Sequence, residues 1–488
     1  MNTKKLALLS CSLLLTLVGC GTPENSSSSD VNSQPNSSET SSSATTGNTA
    51  FTPVEFDTET PVEIVFYSTM GDNLQDVFDA YIEDFYELYP NITVKHEQPG
   101  SYDDVLSQIK TELSIGQGPD IAYCYADHVA LYNKTKKVVQ LDNLIADETY
   151  GLTSEQQADF MPGYYEEGRQ FGDGMMYTLP FSKSTEVLYY NMDFFEEHNL
   201  TVPTTWDEME AVCAKIKEID PNSIPLGYDS ESNLFITMCE QLNSPYTSAA
   251  GVDGEHFLFN NETNQGFMKR LKSWYDKGYM TTQEIFGGYT SGLFIELGEN
   301  AQRSYMSIGS SAGAKHQCVD KSADGTYAFR TGIASIPQYD LNNKKVISQG
   351  PSLCMFNQKD PQKVMASWLL MKFLTTNVGF QAQFSIASGY VPVIKSVEQN
   401  EYYINHVSKA NNTKDFIAAT ATDFCVKQAD NYFTSDAFLG SSEARLQVGS
   451  LVQNILTYTG TSDADIDAFI DEAFANAVYQ CNYSIGNI

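Results

Sequence analysis

The stretch "LPFSKSTEVLYYNMDFFEEHNLTVPTTWDEME", Leu179 to Glu210, decides how this chain folds. After its leading proline, the β-branched and aromatic residues of "EVLYYN" predict a strand. Thr205-Trp206-Asp207-Glu208 then has the spacing of a capping box, in which threonine hydroxyl and glutamate carboxylate satisfy the free amides of a helix start. Met209, Val212 and Ile216 recur on one face and extend that helix. A strand passing into a capped helix is a unit of layered α/β architecture.

The same rhythm runs upstream. "VEIVFYS", Val62 to Ser68, reads as a buried strand, and Val77, Phe78, Tyr81, Phe85 and Leu88 then recur at helical spacing. Pro90-Asn91 breaks that helix and "ITVKHEQ" reads as a second strand. Val105, Ile109 and Leu113 mark an amphipathic helix closed at Gly116, and "PDIAYCYA" is a third apolar strand. This βαβαβ order predicts a parallel, doubly wound α/β domain. "YEEGRQFGDGMMYTLPF" predicts a hairpin turning at Asp173-Gly174. Further on, "YMSI" and "GIASIP" predict strands, and Asp360-Pro361 opens a long helix through Trp368 to Phe373. Ile466, Phe469, Ile470 and Phe474 mark another helix near the end. No internal repeat is found, which sets aside a modular adhesin.

The first residues form a processing signal. Lys4 and Lys5 precede "LALLSCSLLLTLVG", an apolar run too short to span a bilayer comfortably. It ends in Leu17-Val18-Gly19-Cys20, which resembles the lipobox of bacterial lipoproteins. That likeness implies removal of residues 1–19, lipidation of Cys20, and a place on the outer face of the cell membrane, held by the anchor alone. Residues 20–60 are rich in Ser, Thr and Asn and read as a flexible tether, which places the folded part from Pro61 onward.

Among 488 residues there are 29 basic and 62 acidic side chains, a net charge of −33. So acidic a chain repels nucleic acid and anionic lipid, and an anionic ligand would need a local cationic pocket. Sugars and polyols meet no such obstacle. Seven cysteines follow Cys20 at wide spacings and with no C-x-x-C pair, so neither a zinc site nor a dense disulfide framework is indicated. Buried free thiols are the expectation.

Gly309-Ser310-Ser311-Ala312-Gly313 fits G-x-S-x-G, the elbow that presents a nucleophilic serine in α/β-hydrolases. A serine hydrolase also needs an acid and then a histidine further along the chain. Only His316, too close for that order, and His406 follow. A glycosidase using Glu166 and Glu167 meets another obstacle, since adjacent acids on the predicted strand point to opposite faces. The second reading of the serine loop is a ring of hydroxyls and amides beyond a strand end, facing a bound solute.

The opening stretch closely resembles the signature of the family 1 extracellular solute-binding proteins of ABC importers. "GFQAQFSIASGYVPV", Gly379 to Val393, resembles that family's late segment and "VEIVFYSTMG" its first strand. The nearest branch is the one with sn-glycerol 3-phosphate-binding proteins and oligosaccharide-binding relatives. The resemblance implies a two-lobed, hinged α/β fold of the periplasmic-binding-protein type (type II), with the ligand cleft between lobes. One lobe would take residues 61–180 and 335–390, the other 181–334 and 391–488, with crossings near Pro180–Ser184, Thr331–Pro337 and Ser388–Pro392.

It also implies a binding protein rather than an enzyme. Such a protein acts as a monomer without metal or cofactor, and hands a carbohydrate or glycerol-3-phosphate-like solute to the transmembrane subunits of an ABC permease. Site residues carry over one by one: Tyr102 in "GSYDD", Asp127 in "YADHV" with an offset of one residue, and Ser184 in "SKST". Ser310 lies in the serine loop, Gly350 in "SQGPS" offers a backbone contact, and Tyr390 stands in "SGYVP". Arg445 in "SSEARLQ" falls where the branch has an arginine for the ligand's anionic group. Tyr67, on the first strand, is a further candidate for stacking on a sugar.

Overall fold

A computed structural model describes residues 50–298, 302–320, 322, 325–407 and 414–486. Residues 1–19, Cys20 and most of the tether lie outside the described residues. The described residues fall within one compact unit. Phe56 is buried and its amide donates to the Tyr150 hydroxyl at 3.1 Å. The body therefore begins before Pro61, and the last residues assigned to the tether pack against it.

Two sheets organise this unit. In the first, β1 (Val62–Tyr67), β2 (Ile92–Glu97) and β3 (Ile121–Cys124) are parallel in the order β2-β1-β3. Alternation sends neighbouring residues of β1 to opposite faces. Phe66 meets Phe78 of the helix Asp72–Leu88, with ring centroids 5.7 Å apart. Tyr67 instead joins Val105 and Ile109 of the helix Tyr102–Ser114 in a separate cluster. One helix thus covers each face, which is the doubly wound pattern. The sheet is nevertheless mixed, because β4 (Leu179–Pro180) and β13 (Ser352–Met355) join its edge and β13 runs antiparallel to β3 and β4.

The second sheet is built around β5 (Ser184–Asn191), the strand foreseen in the opening stretch. Its first six residues are all buried, as expected of a strand covered on both faces. On one side it pairs with β10 (Met306–Ser310), followed by β6 (Leu226–Tyr228) and β9 (Met280–Thr282). On the other it pairs with β11 (Thr331–Ala334) towards its end and β12 (Val346–Gln349) at its start; β14 (Tyr432–Phe433) lies beyond β12. A small hairpin, β7 (Thr247–Val252) with β8 (Glu255–Phe257), stands apart. The Thr205 capping box is present, its hydroxyl accepting the Glu208 amide at 3.2 Å.

Two expectations change. No hairpin forms at Asp173-Gly174; Pro162–Glu166 is a helix followed by a 3-10 turn over Glu167–Arg169. Proline at the first helical position suits that start. The return to the first sheet also comes late. Both β11 and β12 pair with β5, so the strands change sheet at Gly350-Pro351, beyond the division drawn at residue 335.

Three segments cross between the sheets side by side. Lys183 exchanges two backbone bonds with Val391, at 3.1 and 2.5 Å, and the Phe181 amide donates to the Pro351 carbonyl at 3.2 Å. Gly350 has φ +105°, and a Cβ there would stand 2.5 Å from the Ser182 carbonyl oxygen. Only glycine fits so close a crossing. All seven described cysteines are free and buried. Among the described residues, no helix is long and apolar enough to cross a membrane.

Candidate functional site

Two cavities open beside the crossing and share Gln349. The smaller, about 240 Å³, is lined by Tyr125, Ala126, Asp127, Glu167 and Arg445. The larger, about 740 Å³, is lined by Glu186, Asp229, Asn233, Tyr289 and Ser310. A relay of polar groups joins them. Arg445 donates from Nη2 to Asn233 Oδ1 at 2.6 Å, and the Asn233 and Gln349 amides exchange bonds of 2.9 and 3.1 Å.

On the first-sheet side the groups are aromatic. Tyr102 and Tyr125 pack at 4.5 Å between centroids, with the Tyr390 phenol close enough to act on both. Burial raises all three phenols above their ordinary value, so they stay neutral and offer ring faces with hydroxyl rims. Asp127 stands at the start of the helix Ala126–Tyr132, and its Oδ2 accepts the Ser442 hydroxyl at 2.7 Å. Ser442 belongs to the helix Ser441–Thr457, which packs against the helix Glu231–Gln241 beside the second sheet. This bond therefore spans the cleft. Ala126 and Asp127 both face the cavity, so the one-residue offset leaves the acid within it.

Of the expected site residues, Asp127 and Arg445 line the smaller cavity and Ser310 the larger; Tyr102 packs against Tyr125, and neither it nor Tyr390 lines either one. Ser310 caps the 3-10 turn Ser311–Gln317, its hydroxyl accepting the Ala312 amide at 3.2 Å. Three others lie elsewhere. Tyr67 is 6% exposed, donates to Glu112 Oε1 at 3.1 Å and accepts from Gln108 at 3.0 Å. Strand alternation turns its ring into the core, away from any solute. Ser184 is buried in β5 opposite Gln349 and lines neither cavity. The Gly350 carbonyl accepts the Lys183 ammonium at 3.0 Å, so its oxygen serves the crossing rather than the cavity. Trp206 is core, its Nε1 on Gln241 at 2.8 Å.

The serine of the elbow is closed off from solvent. Ser311 is fully buried and its hydroxyl accepts the Thr185 amide of β5 at 3.2 Å. Glu166 and Glu167 sit on a helical turn rather than a strand. Glu167 is buried and paired with Lys183, whose ammonium also donates to Ser352 Oγ at 2.9 Å.

Sequence reasoning missed Glu186, Asp229, Asn233 and Gln349. Glu186 is level with Ser310 across β5 and β10, and Asp229 follows β6 directly. A Cβ on Gly309 would stand 2.9 Å from Asp229 Oδ2, so glycine there makes room for the carboxylate. Burial pushes the Glu186 carboxyl up to about 8; Tyr228, Asn233 and Arg445 pull it back, and Asp229 pushes it further up. Burial also raises Asp229.

A hinge of crossing strands beside a polar, aromatic-lined cleft defines a binding protein for small solutes, and comparison with known proteins gives the family. Residues 80–411 match the bacterial extracellular solute-binding proteins, and the chain belongs to that family. It is 25% identical over 350 residues to the maltotriose-binding protein of Pyrococcus abyssi, covering 69% of this chain and 67% of that one. It is 24% identical over 345 residues to the sn-glycerol-3-phosphate-binding periplasmic protein UgpB of Yersinia pestis, covering 68% and 74%. In fold it is similar to the cyclic α-maltosyl-1,6-maltose binding protein of Arthrobacter globiformis, with TM-score 0.65, 18% identity and coverage of 88% and 100%. UgpB of Mycobacterium tuberculosis in complex with glycerophosphocholine gives TM-score 0.66, 16% identity and coverage of 87% and 98%.

Proposed function

We propose that the chain is the lipid-anchored, extracytoplasmic receptor of an ABC importer. It binds a carbohydrate, or a solute like glycerol 3-phosphate, between two lobes and passes it unaltered to the permease. The lobes comprise residues 51–180 with 351–390, and 181–349 with 391–486. The observation that carries this reading is the pair of cavities meeting at Gln349 beside three crossing strands, with the Tyr125 ring, packed on Tyr102, on one side and amides, hydroxyls and carboxyls on the other. Aromatic faces suit the C–H patches of sugar rings, and planar polar groups suit their hydroxyls. Rotation about the crossing then closes the lobes, and the closed form is what a permease would recognise. A thermal-shift screen over sugars and glycerophosphodiesters, followed by solution scattering with the best ligand, tests this. A ligand at a hundred times its Kd adds about 2.7 kcal/mol of stability and should contract the scattering envelope. A screen with no stabilising solute, or a scattering curve indifferent to a bound one, ends the proposal.

A further inference from the structure

Three neighbouring strands deliver two carboxyl groups to one wall of the larger cavity: Glu186 from β5, Asp229 after β6, and β10 with Ser310 between them. Glu186 is 4% exposed. Its Oε2 takes the Tyr228 hydroxyl at 2.5 Å, whereas Oε1 accepts no hydrogen bond. A buried oxygen left without a donor carries its full desolvation penalty, so it is an acceptor in want of a donor. Asp229 spends Oδ1 on the Thr290 amide and hydroxyl, at 2.7 and 2.8 Å. Among the described residues no lysine or arginine lines this cavity. Arg445 lies in the smaller one, with Nη2 on Asn233. At the rim Tyr289 is 69% exposed.

Resting on the solute-binding reading above, we propose that the larger cavity takes the basic nitrogen of its solute, an amino-substituted sugar, with Glu186 and Asp229 as its anionic partners. An ammonium group brings three donors and a full positive charge, which suits the donorless Oε1 and forms the stronger, charge-assisted kind of hydrogen bond. A neutral sugar supplies donors but no charge that would favour the ionised carboxyls against burial. A phosphate adds negative charge beside them, on a chain that already carries −33. The groups facing Glu186 are Tyr228, Asp229, Asn233 and Arg445, and an arriving cation favours its ionised form against burial. The exposed Tyr289 ring offers a cation–π face at the entrance.

Calorimetry on the full chain at pH 7 tests this with three probes: the β-1,4 trimer of glucosamine, cellotriose (the same skeleton bearing hydroxyls) and glycerol 3-phosphate. The amino trimer should bind at least about tenfold more tightly than cellotriose. Glu186→Gln keeps the acceptor for Tyr228 and should cut that preference below about threefold. Asp229→Asn should do the same and serves if circular dichroism finds Glu186→Gln unfolded. Equal binding of the two trimers, a preference that survives both substitutions, or glycerol 3-phosphate binding most tightly overturns the inference and leaves solute binding intact. So does a wider screen whose only ligands are neutral or anionic. Silence towards every solute removes the functional proposal and this inference together.

Discussion

Glu186 is the side chain whose state matters most. Its carboxyl titrates about 8 when folded, against an ordinary 4.5, so the native chain holds a proton there that the unfolded chain gives up between those values. Stability must therefore fall as pH rises from 4.5 to 8, by an amount on the order of a few kcal/mol. Glu186→Gln does not titrate. Its stability relative to the parent should grow in the mutant's favour from pH 5 to pH 8, as followed by urea unfolding across that range. Ser311 gives a second test. Ser311→Ala removes one buried acceptor from Thr185 and should cost about 1 kcal/mol, with no turnover lost because its hydroxyl is sealed from solvent. Esterase activity in the purified parent that vanishes in this variant would restore the hydrolase. Neither role was readable along the chain: a glutamate within a strand carries no local mark of burial, and its partner Tyr228 is 42 residues away.

At the level of elements, what depended on near neighbours was legible. The Thr205 box, the β5 run and the proline-started helix Pro361–Thr376 each rest on residues within a turn or two of one another. What depended on pairing was not. Tyr67 looked available for a solute until the helix Tyr102–Ser114 claimed its ring, and Asp173-Gly174 marked a turn without strands to join. Likewise β12 sits in the second sheet because β5 offers it an edge, which no property of "VISQ" announces. Gly350 holds the outcome in place. Gly350→Ala should destabilise by about 2–4 kcal/mol, through both a left-handed backbone and a contact with the Ser182 carbonyl, and chemical denaturation would measure it. A loss below about half a kcal/mol would mean the crossing is loose.

For the whole molecule, the family and its two-sheet plan were legible because several motifs lie in order along the chain, whereas the cleft wall is assembled from segments far apart in it. The Asp127–Ser442 bond bridges the cleft, so it favours the closed arrangement. Asp127→Ala should weaken solute binding about fivefold, the worth of roughly 1 kcal/mol, and raise the radius of gyration of the unliganded protein. An unchanged scattering curve with unchanged affinity would show that the bond contributes nothing to closure.

Lys183 and Glu167 carry that point further. The ammonium is wholly buried on a crossing strand, tied to Glu167, to Ser352 and to the Gly350 carbonyl, while Glu167 also lines the smaller cavity. Axle and cargo hold thus share one carboxylate. Any guest seated against Glu167 would stand one ion pair away from the lysine that ties the crossing strands.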